Sequence, residues 1–448
     1  MRTSRAVSVA LLAALATASV AACSSDSTES SSTGGSETVA ACEPSGEDVV
    51  NLSFTSWIPG IEDAVAKWNE QNPDIQVAVQ TGPNGNSGTY QNFFNQLKAG
   101  NAPDLGQIEY DALASFRVQG GLQNIGGCDV VQEAQPEFID WTWDQVSFGE
   151  EGNAYAIPQD TGPMALFYRA DLFEEAGIAV PVTWDEYAEA AEKIDAEGGK
   201  ITNFSTADIN QFAGFAWQNG ASWFEADDEG WTVNITGAET EEVGAYWQDL
   251  IERDLVASYP AWTDEWNNAY NSSEVWTWVS AVWGANTIQD GAPDTAGNWA
   301  VAPMPQWDSA APASGNWGGS SIAVFTGTDY PYEAAKFATW LNTSEESLTI
   351  LADTANIYPA TLDGINLPTL QSGVDFYGGQ VIWDVFAQAA NQVPANFTWG
   401  PTMTDTYASI SDGFKQVVTG NSTVSEALTA GEESTVSTMN SQSIPVKE

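Results

Sequence analysis

The chain has 448 residues, of which 61 are Asp or Glu and 12 are Lys or Arg, a formal net charge of −49 at pH 7. That charge repels nucleic acid and anionic lipid headgroups, so a nucleic-acid partner is not expected and the acidity is read as a solvated face. Histidine is absent, which removes Ser/His/Asp and Cys/His nucleophiles and the usual histidine-ligated zinc sites.

The first segment carries two arginines, Arg2 and Arg5, and then an apolar run over 6–18 that is too short to span a bilayer. This is the pattern of a secretion signal over residues 1–22. It ends in Val20-Ala21-Ala22-Cys23, which resembles the lipobox of bacterial lipoproteins. The resemblance implies that Cys23 is acylated and anchors the chain to the membrane on the extracellular face; cleavage of an ordinary signal peptide is the alternative. Residues 23–41 are rich in Ser, Thr and Gly, a composition that cannot bury enough apolar surface to offset chain entropy, and are expected to be a disordered tether.

The body after the tether is too long for one ordinary core, and 20 Trp, 18 Phe and 13 Tyr supply enough apolar surface for two lobes. Cys42 and Cys128 remain as an even pair in an exported chain, which predicts a disulfide closing a loop of about 85 residues, with two buried free thiols as the alternative.

Strand alternation at 49–54 is followed by helical spacing of Ile61, Val65 and Trp68, and Asn72-Pro73 stops that helix. Ile75, Val77 and Val79 alternate as a second strand. Residues 90–99 then form a helix with Phe93, Phe94 and Leu97 on one face, and 105–108 is a third strand. Further on, Thr183-Trp184-Asp185-Glu186 is a capping box opening a helix to about Ala196. Val243, Trp247, Leu250 and Ile251 mark another helix, Pro331 opens one carrying Phe337 and Leu341, and Tyr407, Ile410, Phe414 and Val417 mark one near the C-terminus. Alternating strands and helices predict an α/β fold around largely parallel sheet, without tandem repeats.

Five stretches, taken in order, resemble the sugar-binding group of extracellular solute-binding proteins that serve ABC importers, the maltose-binding-protein-like group called family 1. They are "LSFTSWIPGIEDAVAKWNEQNPDIQV", "GNAPDLGQIEYDALASFRVQGGLQNI", "YAIPQDTGPMALFYRADLFEEAGIAVPVTWDEYAEAAEKI", "WAVAPMPQ" and "GNWGGSSIAVFTGTDYPYEAAKFATWLNT". The resemblance implies a two-lobed periplasmic-binding-protein-like fold of type II, with strands that cross a hinge and a cleft between the lobes. Lobe one would be 43–157 plus 283–342 and lobe two 158–282 plus 343–448, with crossings near 158–162 and near Trp283. It further implies a monomeric binder that closes on a carbohydrate and hands it to the transmembrane subunits of a permease.

Sugars present hydroxyl groups and flat apolar faces, so their sites combine carboxylates and amides with aromatic platforms. By position in the motifs, the resemblance places Trp57, Glu109, Tyr110, Asp111, Gly318, Gly319 and Ser320 at the cleft edge of lobe one, and Asp160 in the hinge. Trp283 falls at the second crossing, and Trp217, Trp223, Tyr358, Tyr377 and Trp399 are the candidates of lobe two. Trp68, Trp247 and Trp340 are read as core. Maltose-type binders carry charges in the loop after the first strand, whereas Ser56-Trp57-Ile58-Pro59-Gly60 has none before Glu62; this departure points away from maltose and toward an oligosaccharide of two to four units stacked on tryptophans. A lipid-anchored glycoside hydrolase with two acidic residues and a non-transport sugar receptor or adhesin are the competing readings. The sequence has no EF-hand loop and no phosphate-binding GxxxxGK[ST] motif, so no cofactor and no metal site are expected, with calcium on the many Asp side chains as the alternative.

Overall fold

The computed structural model describes residues 42–447 apart from 86, 87, 228, 356 and 396. The signal segment, Cys23 and the whole tether lie outside the described residues. Among the described residues, no helix is long and apolar enough to cross a membrane.

The N-terminal elements form where the periodicity places them. Strand β1 (Val50–Ser56) alternates buried and exposed positions, and the helix Ile61–Gln71 buries Ile61, Ala64, Val65 and Trp68 on one face. Strand β2 (Ile75–Thr81) returns parallel to β1, and β3 (Leu105–Glu109) pairs with the other edge of β1, also in parallel. Antiparallel strands complete this sheet: β10 (Ser320–Val324) lies between β3 and β4 (Ala156–Pro158), giving the order β2-β1-β3-β10-β4. Cys42 and Cys128 are joined by a disulfide, which ties the start of the described chain to the head of the helix Asp129–Ala134.

A second sheet is wholly antiparallel. Strand β5 (Met164–Arg169) lies between β8 (Thr277–Ala281) and β9 (Trp299–Pro303). A short hairpin of β6 (Phe224–Asp227) and β7 (Gly230–Val233) stands apart. The expected largely parallel arrangement therefore holds only for β2, β1 and β3. Local alternation reports that a strand exists and says nothing of its direction, which is set by where the chain returns from the other sheet.

The sheets also move the expected lobe boundaries. The segment 283–342 was assigned whole to lobe one, yet β9 registers on β5, with Phe167 opposite Val301. The return expected near Trp283 instead runs through 315–320, directly into β10. Likewise the helix Glu345–Ala355, assigned to lobe two, packs on the helices Ile61–Gln71 and Pro331–Thr343 beside the first sheet. The chain then passes a third time between the sheets at 357–361, and the helix Trp383–Ala390 packs on β5 and β9. A strand sequence such as "WAVAP" fits either sheet, which is why its partner was not readable from its own residues.

The capping boxes are present. Thr183 accepts from the Glu186 backbone N–H while the Glu186 carboxylate accepts from the Thr183 N–H, and Thr423 with Glu426 repeats the arrangement at the head of the helix Val424–Ser441.

Candidate functional site

Three segments run side by side between the sheets and form the hinge. Leading from β4, Gln159 N–H donates to Ser320 O at 2.9 Å, and Thr161 N–H donates to Tyr358 O at 2.9 Å. Trp317 N–H donates to Gly162 O at 2.8 Å, and Gly162 N–H donates to Asn316 Oδ1 at 2.8 Å. The packing leaves no room for a side chain at Gly162, where an added Cβ would lie 1.9 Å from Trp317 O. Gly318 and Gly319 adopt φ of 84° and 98°, so glycine is required there for backbone as well as for space: a Cβ on Gly319 would meet the Tyr110 ring at 2.7 Å.

Around this hinge the structure gathers four carboxyl groups. Glu109 ends β3, and Asp111 stands in the first turn of the helix Tyr110–Val118 that follows at once. Asp160 lies on the crossing itself. Asp208 precedes the helix Ile209–Gln218 on the opposite side, and Asn210 of that helix reaches over to donate from Nδ2 to Asp111 Oδ2 at 3.2 Å. Each acid is held by its neighbours. Tyr90 OH donates to Glu109 Oε2 at 3.0 Å and accepts from the Glu109 backbone N–H at 2.9 Å. Ser320 N–H donates to Asp160 Oδ1 at 2.7 Å, and Tyr110 OH donates to the Asp160 carbonyl at 3.1 Å. Behind them, Ser56 Oγ and Trp57 N–H both donate to Gln107 Oε1, whose Nε2 donates to Ser320 Oγ at 3.1 Å. That relay fixes the ends of β1, β3 and β10 relative to one another.

Unpaired groups remain at the centre. Asp111 is buried and its Oδ1 has no hydrogen-bond partner, and Asn210 Oδ1 has none either. The Tyr407 hydroxyl faces Asp111 without closing a hydrogen bond of good geometry. Burial pushes the Asp160 carboxyl up to about 7, with the Ser320 N–H drawing it partly back. Burial likewise raises Asp208 to about 6 against the pull of the Asn210 N–H and the Trp317 side chain. Burial and the charge of Asp111 raise Glu109; burial, with Asp208 adding to it, raises Asp111. No cation takes part in these shifts. The arginines and lysines found in ion pairs among the described residues, such as Arg117 with Glu150 and Arg169 with Asp171, are engaged elsewhere. Among the described residues, no three acidic or cysteine side chains are disposed to hold a metal ion.

Aromatic rings flank the carboxyls. Trp57 is half-buried with its ring 5.8 Å from that of Tyr90. Trp283 donates from Nε1 to Trp317 O at 3.1 Å, with the two rings 4.6 Å apart. Trp262 covers both, at 5.8 and 6.3 Å; it is 48% exposed and holds a φ of 66°. An exposed indole kept in a left-handed backbone conformation is costly unless its surroundings impose it.

The sequence-derived candidates divide accordingly. Trp57, Glu109, Tyr110, Asp111, Asp160, Trp283, Gly318, Gly319 and Ser320 come together at the hinge. Trp217, Trp223 and Tyr377 do not: all three are buried, and their polar atoms donate to Pro394 O at 2.6 Å, Thr240 Oγ1 at 3.1 Å and Ala285 O at 2.7 Å. A ring that is enclosed and whose donor is already satisfied offers a solute nothing, so these are core residues. Tyr358 is buried as well and serves the hinge through its carbonyl. Trp399 is buried against Phe397 at 4.7 Å and shows one side to a neighbouring cavity. Trp68 and Trp247 are core, as expected, and Trp340 is half-buried against Trp68. The residues not singled out from sequence are Tyr90, Asp208, Asn210, Trp262, Trp317 and Tyr407. Tyr90 and Tyr407 sit at helical spacing among apolar residues, and Asp208 stands before a helix, so each carried the signature of packing or capping.

Two sheets joined by three crossing segments around a polar, aromatic-flanked cleft define a two-lobed solute-binding architecture. Residues 53–347 match the model of the bacterial extracellular solute-binding protein family, and the chain belongs to that family. It is 27% identical over 344 residues to an arabinooligosaccharide-binding protein of Halalkalibacterium halodurans, covering 74% of this chain and 76% of the relative. It is 28% identical over 293 residues to a lactose-binding protein of Rhizobium radiobacter, covering 63% and 67%. Among solved structures, the galacto-N-biose/lacto-N-biose I-binding protein of an ABC transporter from Bifidobacterium longum superimposes with a TM-score of 0.79 at 26% identity, over 90% of this chain and 100% of that one. The fold is therefore that of the type II periplasmic sugar-binding proteins.

Proposed function

We propose that the chain is the substrate-capturing component of an ABC importer, that it takes a neutral oligosaccharide of two to four units into the cleft, and that it delivers it to a membrane permease. The observation that carries the reading is the set of four carboxyl groups with no compensating cation and with Asp111 Oδ1 left unpaired. A carboxyl group accepts hydrogen bonds through its free oxygen and, where burial holds its proton, also donates one. A neutral polyol supplies the missing donors, whereas an anionic solute adds repulsion. The indoles of Trp57, Trp262 and Trp283 flank the acids as apolar platforms, matching the two-faced chemistry of a sugar ring. The relatives named for arabinooligosaccharide and lactose, and the neighbour solved with lacto-N-biose, support the same class of solute.

Closure follows from where the groups sit. Glu109 ends a strand of the first sheet and Asp111 opens the helix that follows it, whereas Asp208 and Asn210 lie on the second side, so only the closed form offers a solute both sets of contacts. Attachment through Cys23, an extracellular location at the cell membrane and a monomeric state belong to the same proposal.

Intrinsic tryptophan fluorescence, titrated with mono- and oligosaccharides, tests the reading. A saturable change for one oligosaccharide class is the expected result, with no cleavage products after long incubation. Turnover of the sugar would favour a glycoside hydrolase. Undiminished uptake of that sugar in a deletion strain would favour a non-transport receptor. Replacing Cys23 by alanine is expected to release the protein from the membrane fraction.

A further inference from the structure

Next to the carboxyl cluster lies a cavity of about 240 Å³, whose walls come from both sides of the cleft. Tyr110, Asp144, Gln145 and Phe148 form one wall, and Phe397 and Trp399 the other. It is smaller than the ~300 Å³ at the lower end of drug-sized sites, so it has room for one ring-sized group. The walls are held together by Gln145, whose Nε2 donates to Phe397 O at 2.9 Å. Two lining residues adjoin the carboxyl cluster. Tyr110 stands between Glu109 and Asp111 in sequence, and the Trp399 ring lies 6.4 Å from that of Tyr407, which faces Asp111.

The lining has the composition of a sugar site: four aromatic rings, one carboxyl and one amide. Asp144 is half-buried, and the charged group it feels is Asp140, a like charge, so it stands ready to accept and has no cation to satisfy it. We propose that this cavity is a second carbohydrate subsite, which takes one pyranose-sized unit of a chain whose other units lie at the carboxyl cluster. An apolar ring face packs against the aromatic walls, and a hydroxyl group donates to Asp144. The subsite makes the receptor select for chain length, and it rests on the carbohydrate reading above.

The test is calorimetric titration of the whole protein with one homologous series from disaccharide to tetrasaccharide. Two variants are compared with the native chain: Asp144→Asn, which keeps shape and removes charge, and Ala395→Trp, which fills the cavity from its exposed rim. The native chain is expected to gain roughly tenfold or more in affinity at one step in length. Both variants are expected to lose that gain while binding the disaccharide within about twofold of the native chain. Native binding that does not depend on length, or variants that weaken every length equally, or variants that change nothing, overturn the subsite and leave the carbohydrate reading standing. A native chain that binds no sugar overturns both.

Discussion

The hinge cluster and the aromatic block of the second lobe are both buried and both rich in side chains that bind sugars elsewhere, but they differ in how their polar atoms are satisfied. Trp217 stacks on Phe397 at 4.7 Å and donates its indole N–H to Pro394 O; Trp223 donates to Thr240. At the hinge, Asp111 and Asn210 each keep an oxygen without a partner. A core closes its hydrogen bonds internally because an unmade one costs about 1–3 kcal/mol; a binding site leaves that closure to its ligand. Orphaned polar atoms also occur in the core, at Trp247 and Tyr270, so what sets the hinge apart is that unpaired oxygens stand together with four carboxyl groups and no cation among the described residues.

Substitutions in the two regions should therefore have opposite signatures. The largest expected effect is from Trp217→Ala, a loss of about 3–5 kcal/mol of stability, read as a lowered melting temperature, with sugar affinity kept in the fraction that stays folded. A variant that melts normally but no longer binds would move Trp217 back into the site. Gly162→Ala forces a methyl group against Trp317 O and strains the hinge by about 1–3 kcal/mol. Its expected readout is weakened binding with both lobes intact by circular dichroism; unchanged affinity would mean that the crossing segments do not govern closure. Asp111→Asn is expected to cost about 1.5–3 kcal/mol of binding, a loss of roughly 10- to 150-fold in affinity, without lowering the melting temperature.

A further effect is one of pH, and it sharpens the same contrast. Asp160 and Asp208 titrate at about 7 and about 6 in the folded protein, above their ordinary values, because burial disfavours their charged forms. Raised folded values mean that the folded state holds protons the unfolded chain has released. Their contribution to stability is complete below the ordinary carboxylate range and is lost as pH rises through about 6 and 7. The ligand-free protein should melt at a lower temperature at pH 8 than at pH 5, and Asp160→Asn should flatten that slope. A melting temperature that rises over this interval would contradict the burial of these acids.

Much of the first lobe, and one helix start in the second, was legible in the sequence. The β1–helix–β2 unit, the helix over Tyr90 and the capping box at Thr183 follow from periods of 2 and 3.6 and from side chains that bond three residues away. Of the hinge acids, Glu109, Asp111 and Asp160 were legible through the motifs that carry them, and Asp208, placed as a helix start, was not. The aromatic candidates were legible only in part, because the group that decides whether an indole is core lies far along the chain: Trp217 bonds residue 394 in the core, whereas Trp283 bonds residue 317 at the hinge. Trp262 escaped for the same reason. It lies over Trp278, Trp283 and Trp317, residues distant in sequence from the loop that carries it, and no local spacing announces that. The lobe boundaries shifted because β9 chose its sheet by long-range register with β5.

The most direct measurement titrates the native chain and Asp111→Asn calorimetrically at pH 7, with a neutral oligosaccharide identified by the fluorescence panel and with its uronic-acid counterpart. The native chain should bind the neutral sugar with a Kd on the order of 1 μM, about −8 kcal/mol, should reject the acidic one, and should lose the neutral one on substitution. Equal affinity for the acidic sugar, or an Asp111→Asn variant that binds as the native chain does, would contradict a cleft built from uncompensated carboxylates.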